Sequence, residues 1–243
     1  KWLQAVEAKP TAKAVVHHII VFMIPPDNSR PTYVVGYAPG DLAEVYPPGT
    51  AKRIPAGSDL LFELHYTPNG TSVQDRSSVA MIFADPKSVT REAMTVPISS
   101  QDFERRRVFI PPGDDNFKIT SSRSFRDDGV QLLGLMPHMH LRGKAFRYDL
   151  VTPDGKTETL LDVPAYDYSW QSFYWLSQPI ALAKGSRLDC AGWFDNSSSN
   201  PANPDPSSKV YWGDQTFEEM MIGFIEITRP RQDGKTAAAA NPT

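Results

Sequence analysis

The chain has 243 residues, with 25 lysines and arginines against 28 aspartates and glutamates, for a net charge of −3. That length holds one large domain or two ordinary domains, and the balanced charge argues against nucleic acid as a partner. No apolar run reaches the ~20 residues of a membrane span. The 22 prolines favour short strands joined by turns over a helical bundle.

Eight β-strands are predicted from apolar or alternating runs, separated by turn signals such as residues 68–70, Pro-Asn-Gly. The one stretch that would permit a helix is 87–94. A domain boundary is expected near residues 97–102, and 196–208 is expected to be a long surface loop. The predicted strands are 14–24, 59–67, 79–84, 130–136, 145–150, 159–163, 187–194 and 220–227.

The single cysteine, Cys190, has no partner for an intrachain disulfide. It fits a reducing compartment and also a bacterial extracytoplasmic protein without disulfides, and we expect the latter, periplasmic or secreted. There is no signal peptide. Because the chain opens at Lys1 rather than Met, we expect a mature form or a part of a longer polypeptide that carries other domains.

Two of the five histidines, His138 and His140, form an H-x-H pair. Residues i and i+2 of a strand face the same side, so two imidazoles can converge on one metal ion. The alternative is a solvated face, but the neighbouring Leu133, Leu135 and Met139 indicate a buried strand. Imidazoles buried there need partners for their ring nitrogens.

His17 and His18 are adjacent in a predicted strand, so their side chains are expected on opposite faces. They can share a metal ion only if the strand twists or bulges, or if they use different ring nitrogens. His65, in another strand, could supply a third imidazole. The alternative for His65 is a partly buried histidine that is hydrogen-bonded to a neighbour.

Met220 and Met221 are the only adjacent pair among seven methionines. A methionine in a strand is usually core filler. As a third ligand beside two histidines, a thioether favours copper, especially Cu(I), over zinc. Such a site leaves a position open for oxygen chemistry.

Five segments, in this order, resemble the copper type II, ascorbate-dependent monooxygenases, and the resemblance extends over residues 2–227. We expect a bacterial member of that family. The segments are VVHHIIVF (15–22), ELHYTPNG (63–70), IPPG (110–113), PHMHLRGKAF (137–146) and WGDQTFEEMMIGF (212–224).

The resemblance implies two antiparallel β-sandwich, jelly-roll-like domains at 1–98 and 99–230, followed by a flexible tail at 231–243. Each domain is expected to hold one copper ion. The first copper would store an electron from an external reductant such as ascorbate, and the second would bind O2 and attack a substrate C–H bond. The implied ligands are His17, His18 and His65 for the first copper, and His138, His140 and Met220 for the second.

Several positions depart from the family pattern. The family pairs the cysteine at position 190 with another at position 221, which is methionine here, so apolar packing must brace that strand. Residues that anchor a peptide carboxylate correspond to Met136, Ile222 and Phe224. We therefore expect a small apolar or aromatic substrate. Only 16 residues precede His17, fewer than the family pattern implies, so we expect either that the first strands of this domain lie upstream or that the domain is reduced.

Two other classes of function remain open. One is a copper-binding or electron-transfer module of a larger redox protein, without hydroxylase activity. The other is a zinc-bound or metal-free sandwich that binds carbohydrate or protein. A cupin is excluded because no glutamate follows the H-x-H pair within a few residues; the sequence after it is Leu-Arg-Gly-Lys-Ala.

Overall fold

A computed structural model describes residues 1–232, and in that range it confirms the all-β class. Residues 233–243, most of the predicted tail, lie outside the described residues. The one helix, α1, has four residues (Gln101–Glu104), and no helix in the described range is long and apolar enough to cross a membrane. The strands are β1 (Trp2–Lys9), β2 (Val16–Ile24), β3 (Thr32–Tyr37), β4 (Glu44–Val45), β5 (Thr50–Arg53), β6 (Asp59–Tyr66), β7 (Ser78–Phe83), β8 (Arg91–Ser99), β9 (Phe117–Ser124), β10 (Val130–Met139), β11 (Gly143–Val151), β12 (Thr157–Val163), β13 (Tyr174–Leu182), β14 (Arg187–Phe194) and β15 (Met221–Pro230).

All eight predicted strands are present, with their ends shifted by a few residues. The prediction of a helix-permissive stretch at 87–94 is wrong, because 86–88 form a turn and β8 begins at Arg91. β8 pairs with β15 on one side and with β5 on the other. Pairing on both edges overrides the weak local preference for a helix.

Three sheets are formed within residues 1–232. The largest has eight strands in the order β13-β10-β15-β8-β5-β1-β4, and β7 also pairs with β1. A four-stranded sheet has the order β12-β11-β14-β9, and a three-stranded sheet has the order β3-β2-β6. Of the strand pairs, β5 with β8 is parallel and the others are antiparallel.

Two hydrophobic cores lie between these sheets, consistent with β-sandwich packing. One core joins β8, β10 and β15 to the four-stranded sheet, with Leu135 and Ile225 facing Phe146 and Leu188. The other joins β1 and β7 to the three-stranded sheet. The eight-stranded sheet therefore contributes to both cores.

The predicted boundary between residues 98 and 99 coincides with the end of β8 at Ser99. β8 nevertheless lies in one continuous sheet, between β5 of the first half and β15 of the second half. The division into two domains stays a prediction, and the shared sheet means that the two halves are joined by backbone hydrogen bonds.

A β-bulge in β10 decides which face of the large sheet carries the H-x-H pair. The pairing of β10 shifts between Leu132 and Gly134, so that Leu132 and Leu135 both face the first core although they are three residues apart. Met139 is also in that core. By alternation, His138 faces the other side of the sheet, toward the N-terminal half.

Candidate metal centre

The first histidine set lies where β2 pairs with β6. The register places Val16 opposite Tyr66 and His18 opposite His65, so His17 is the extra residue of a β-bulge. The bulge turns the adjacent imidazoles toward one another, and the Nδ1 atoms of His17 and His18 are 2.9 Å apart. The sequence left open a twist, a bulge or the use of different ring nitrogens, and the structure shows the bulge.

The donor chemistry of this pair suits a metal ion. Two imidazole lone pairs repel each other at 2.9 Å unless one nitrogen carries a hydrogen or a cation lies between them. Metal–imidazole bonds are about 2.0 Å long, so a single ion can bind both Nδ1 atoms. Burial, followed by the charge of His65, lowers the pKa of His17, and burial lowers that of His18 to about 3. Both rings are therefore neutral at pH 7, as metal binding requires.

His65 lies close to this pair. Its ring lies 4.0 Å from that of His18, centroid to centroid, with a tilt of 40°. Its Nε2 lies 3.2 Å from Glu63 Oε1. This oxygen is a hydrogen-bond acceptor, so it favours the tautomer with the hydrogen on Nε2 and leaves the lone pair of Nδ1 free to bind a metal ion.

The second set lies at the end of β10 and beyond it. The rings of His138 and His140 are 5.3 Å apart and nearly perpendicular. Burial lowers the pKa of His138 to about 4, and the charge of His140 adds to this effect. Burial also lowers the pKa of His140. These imidazoles are also neutral, and His140 is 5% exposed, so the expectation of a buried H-x-H pair is confirmed for His140.

Hydrogen bonds fix the tautomer of both rings in the second set. Gln171 donates its Nε2 to the carbonyl of Tyr168 and turns its Oε1 to His138 Nδ1, 2.5 Å away. His140 Nδ1 lies 3.2 Å from the carbonyl oxygen of Glu218. Because both partners are acceptors, each Nδ1 carries the hydrogen and each Nε2 keeps a free lone pair. Such partners orient metal-binding histidines.

Glu219 joins the second histidine pair to Met220. Its buried carboxylate accepts backbone N–H groups from His140 at 2.8 Å, Arg142 at 2.6 Å and Met220 at 3.3 Å. Burial raises the pKa of Glu219, while the three N–H groups act in the opposite direction. Met139 pairs with Met221, and continuing this register by one residue places Met220 opposite His140.

No three His, Cys, Asp or Glu side chains between residues 1 and 232 form a complete metal cage. What the fold brings together is two pairs, His17 with His18 and His138 with His140. His65 lies beside the first pair, and extending the register of β10 with β15 places Met220 opposite His140. The two sets are neighbours, since His138 and His140 contribute electrostatically to the lowered pKa of His18. The ligand assignment for copper stays a prediction.

Apolar side chains of β10 and β15 line one side of His138. In the pairing of β10 with β15, Met136 lies opposite Phe224 and His138 lies opposite Ile222. The rings of His138 and Phe224 are 6.1 Å apart, and Tyr33 lies 6.3 Å beyond Phe224. No cationic side chain among these neighbours could pair with a carboxylate.

Cys190 is a buried thiol, 1% exposed, and burial raises its pKa. Apolar packing takes the place of the missing disulfide. Met221 is fully buried in the first core and fills the space above Gly192. Cys190 of β14 packs against Gly223 of β15, the strand that carries Met221.

Among the residues that contact the histidines, Tyr168, Gln171 and Glu219 were not singled out in the sequence. Glu219 immediately precedes Met220, but nothing in the spacing indicates that its carboxylate turns back to β10. Tyr168 and Gln171 lie in the loop between β12 and β13. Loop geometry leaves no periodic signal that could have revealed their contacts.

These features define an all-β protein with two neutral imidazole pairs, one beside a third histidine and one beside a methionine. Residues 104–232 match the family model of the copper type II ascorbate-dependent monooxygenase, C-terminal domain. The match covers more than half of the 243 residues, and the chain belongs to this family. No curated protein matches it.

Some solved structures align with the chain at low similarity. The major capsid protein P2 from bacteriophage PM2 aligns over 97% of this chain and 90% of that chain, with 10% identity and a TM-score of 0.40. The VP2 subviral particle of infectious bursal disease virus aligns over 93% and 55%, with 10% identity and a TM-score of 0.29. Similarity at this level carries no argument about function.

Proposed function

We propose that this chain is a copper-dependent monooxygenase that hydroxylates a C–H bond with O2 and an external reductant such as ascorbate. The observation that carries the proposal is the difference between the two histidine sets. The first set offers Nδ1 atoms, and the second offers Nε2 atoms next to a methionine. Two unlike donor sets suit two copper ions with different roles.

His17, His18 and His65 would hold the copper ion that stores an electron. Imidazole is a good ligand for both oxidation states of copper. The bulge at His17 and the ion-pair distance between His65 and Glu63 orient the donors before metal binds. The position of His65 beside the pair supports its assignment as the third ligand.

His138, His140 and Met220 would hold the copper ion that meets O2. Copper supplies one-electron redox chemistry and an open position for dioxygen. The protein supplies orientation, since Gln171 and the Glu218 carbonyl hold the imidazole rings and Glu219 holds the backbone of both ligand segments. Burial of the set excludes bulk water from the reacting atoms.

The surroundings of His138 support a small apolar or aromatic substrate. Met136, Ile222 and Phe224 are half-buried beside it, and an apolar molecule can cover these side chains at the expense of water. The same side chains favour a second candidate, an electron-transfer module without hydroxylase activity, because they provide no charged group to fix a polar substrate.

The replacement Met220→Ile tests the proposal against that alternative. In the copper-loaded protein with ascorbate and a panel of aromatic substrates, we expect substrate-dependent O2 uptake that is lost in M220I. Met81→Ile is the matched control, since Met81 packs in the second core and should leave uptake unchanged. Equal substrate-dependent O2 uptake in M220I and wild type would refute the assignment as a hydroxylase. Redox activity without substrate-dependent uptake in wild type would establish the electron-transfer module.

A further inference from the structure

Tyr168 lies between the two histidine sets. Its ring stacks on His17 with 5.1 Å between centroids and an angle of 16° between planes. It also meets His140 edge-on at 6.3 Å. Among the ring contacts within residues 1–232, Tyr168 is the one aromatic side chain that touches a histidine of each set.

The loop around Tyr168 is fixed to the strand that carries the second set. The carbonyl of Tyr168 accepts a hydrogen bond of 2.8 Å from Gln171, which also holds His138. Two residues earlier, the Tyr166 hydroxyl donates to the carbonyl of Met139 at 2.8 Å and accepts its N–H at 3.0 Å. The position of the Tyr168 ring is thus set by the same residues that orient the imidazoles.

This loop is also tied to the N-terminal half. Ser172 donates a hydrogen bond to Asp41, which follows β3 in the chain. The segment from Tyr166 to Ser172 therefore contacts both halves of the chain. These contacts hold the Tyr168 ring against His17. The stacking of Tyr168 on His17 thus depends on contacts with both halves of the chain and not on one histidine set alone.

We propose that Tyr168 links the two histidine sets electronically, so that an electron delivered to the first set passes to the second through its ring. This inference rests on the proposed function, which requires such a transfer. Electrons tunnel more readily through closely packed protein atoms than across water, and the stacked ring replaces water between His17 and His140. The electron balance is simple: the external reductant loses one electron, the copper ion that the second set would hold gains it, and Tyr168 keeps its hydroxyl hydrogen.

The test measures transfer between the sets directly. Full-length protein loaded with copper is mixed, without O2, with less than one electron equivalent of ascorbate, and freeze-quench EPR follows the two Cu(II) signals. The relevant phase is first order and independent of protein concentration. Tyr168→Leu is expected to slow it, because loss of the ring breaks the packed path between His17 and His140. Tyr168→Phe, which keeps the ring, should match wild type.

Trp170→Leu is the matched control, because Trp170 is an aromatic residue of the same loop that is 59% exposed. The link would be overturned if Y168L left the transfer rate unchanged. It would also be overturned if Y168F and W170L slowed the transfer as much as Y168L does. Copper content and circular dichroism of each variant are measured in parallel. Loss of copper from either set in Y168L would make Tyr168 a support for the imidazoles and would also overturn it. Failure of the proposed function is distinguishable, since substrate-dependent O2 uptake would then be absent while the transfer phase persists.

Discussion

At the scale of single residues, the two sets differ in which ring nitrogen is free. The hydrogen on Nδ1 of His138 and His140 is directed at acceptors, whereas the Nδ1 atoms of His17 and His18 face each other. The sequence alone placed all five histidines as candidate ligands. The tautomers depend on Gln171 and on the carbonyl of Glu218, which are distant in the chain from His138 or His140 and carry no pattern of their own.

Replacing Gln171 tests the importance of this orientation. Gln171→Leu leaves His138 Nδ1 without its acceptor, so the ring can turn and exchange tautomers. We expect copper affinity at the second set to fall by about 10- to 100-fold, as for other partners of metal-binding histidines, with the first set unaffected. Competition with a chelator, read separately from the EPR signal of each set, measures the change.

Gln101→Leu serves as the control for that variant, because Gln101 is exposed at the start of α1. Equal copper affinity at the second set in Q171L and Q101L would mean that the hydrogen bond to His138 has no part in metal binding.

At the scale of elements, hydrophobic periodicity predicted strands well where one strand carried its own pattern, as in β2, β6 and β14. It failed for β8, which was interpreted as helix-permissive at 87–94, since β8 is stabilised by pairing with β5 and β15. It also could not place the bulges. A bulge is a property of two paired strands, so the convergence of His17 and His18 could be stated only as one of several alternatives.

Gly223 in β15 allows the close approach of the two sheets of the first core. A Cβ atom there would lie 2.6 Å from Cys190 Sγ and 2.8 Å from Tyr148 Cε1. Gly223→Ala should therefore destabilise the fold by about 1–3 kcal/mol through overpacking. Urea unfolding measures the loss. In the double variant C190A/G223A, part of the lost stability should be recovered, because neighbouring sites couple. If the losses of the two single variants were strictly additive, the contact between the new Cβ atom and Cys190 Sγ would not be the cause of the destabilisation.

At the scale of the whole molecule, the eight-stranded sheet and a buried polar cluster join the two halves. Lys52 of β5 donates to Thr95 Oγ1 at 2.9 Å and lies 3.6 Å from Glu226 of β15. Glu44 accepts a hydrogen bond from Tyr33 at 3.0 Å, and its Oε2 has no partner among the described residues. Lys52 can compensate only one of the two carboxylates, so one negative charge would be left uncompensated inside the protein if both were ionised.

This cluster predicts that the free energy of unfolding changes with pH through the ionisation of Glu44. Burial, together with the charge of Glu226, raises the pKa of Glu44 to about 7, although Lys52 acts in the opposite direction. The folded state therefore holds a proton that the unfolded state, with a pKa of 4.5, releases earlier. The resulting stabilisation is fully present below pH 4.5 and is lost as the pH rises through about 7. It amounts to about 3 kcal/mol, at about 1.4 kcal/mol for each pKa unit.

Glu44→Gln mimics the protonated carboxyl at every pH and should remove this dependence. Urea unfolding at pH 5 and pH 8 is expected to show E44Q near wild type at pH 5 and more stable than wild type by about 2–3 kcal/mol at pH 8. The histidines with lowered pKa act with the opposite sign in both proteins, so they cancel in the comparison. Glu7→Gln, at a side chain that is 40% exposed, should keep the wild-type dependence. If E44Q and E7Q gave the same pH profile, Glu44 would carry no buried proton and the charge of the cluster would be compensated in another way.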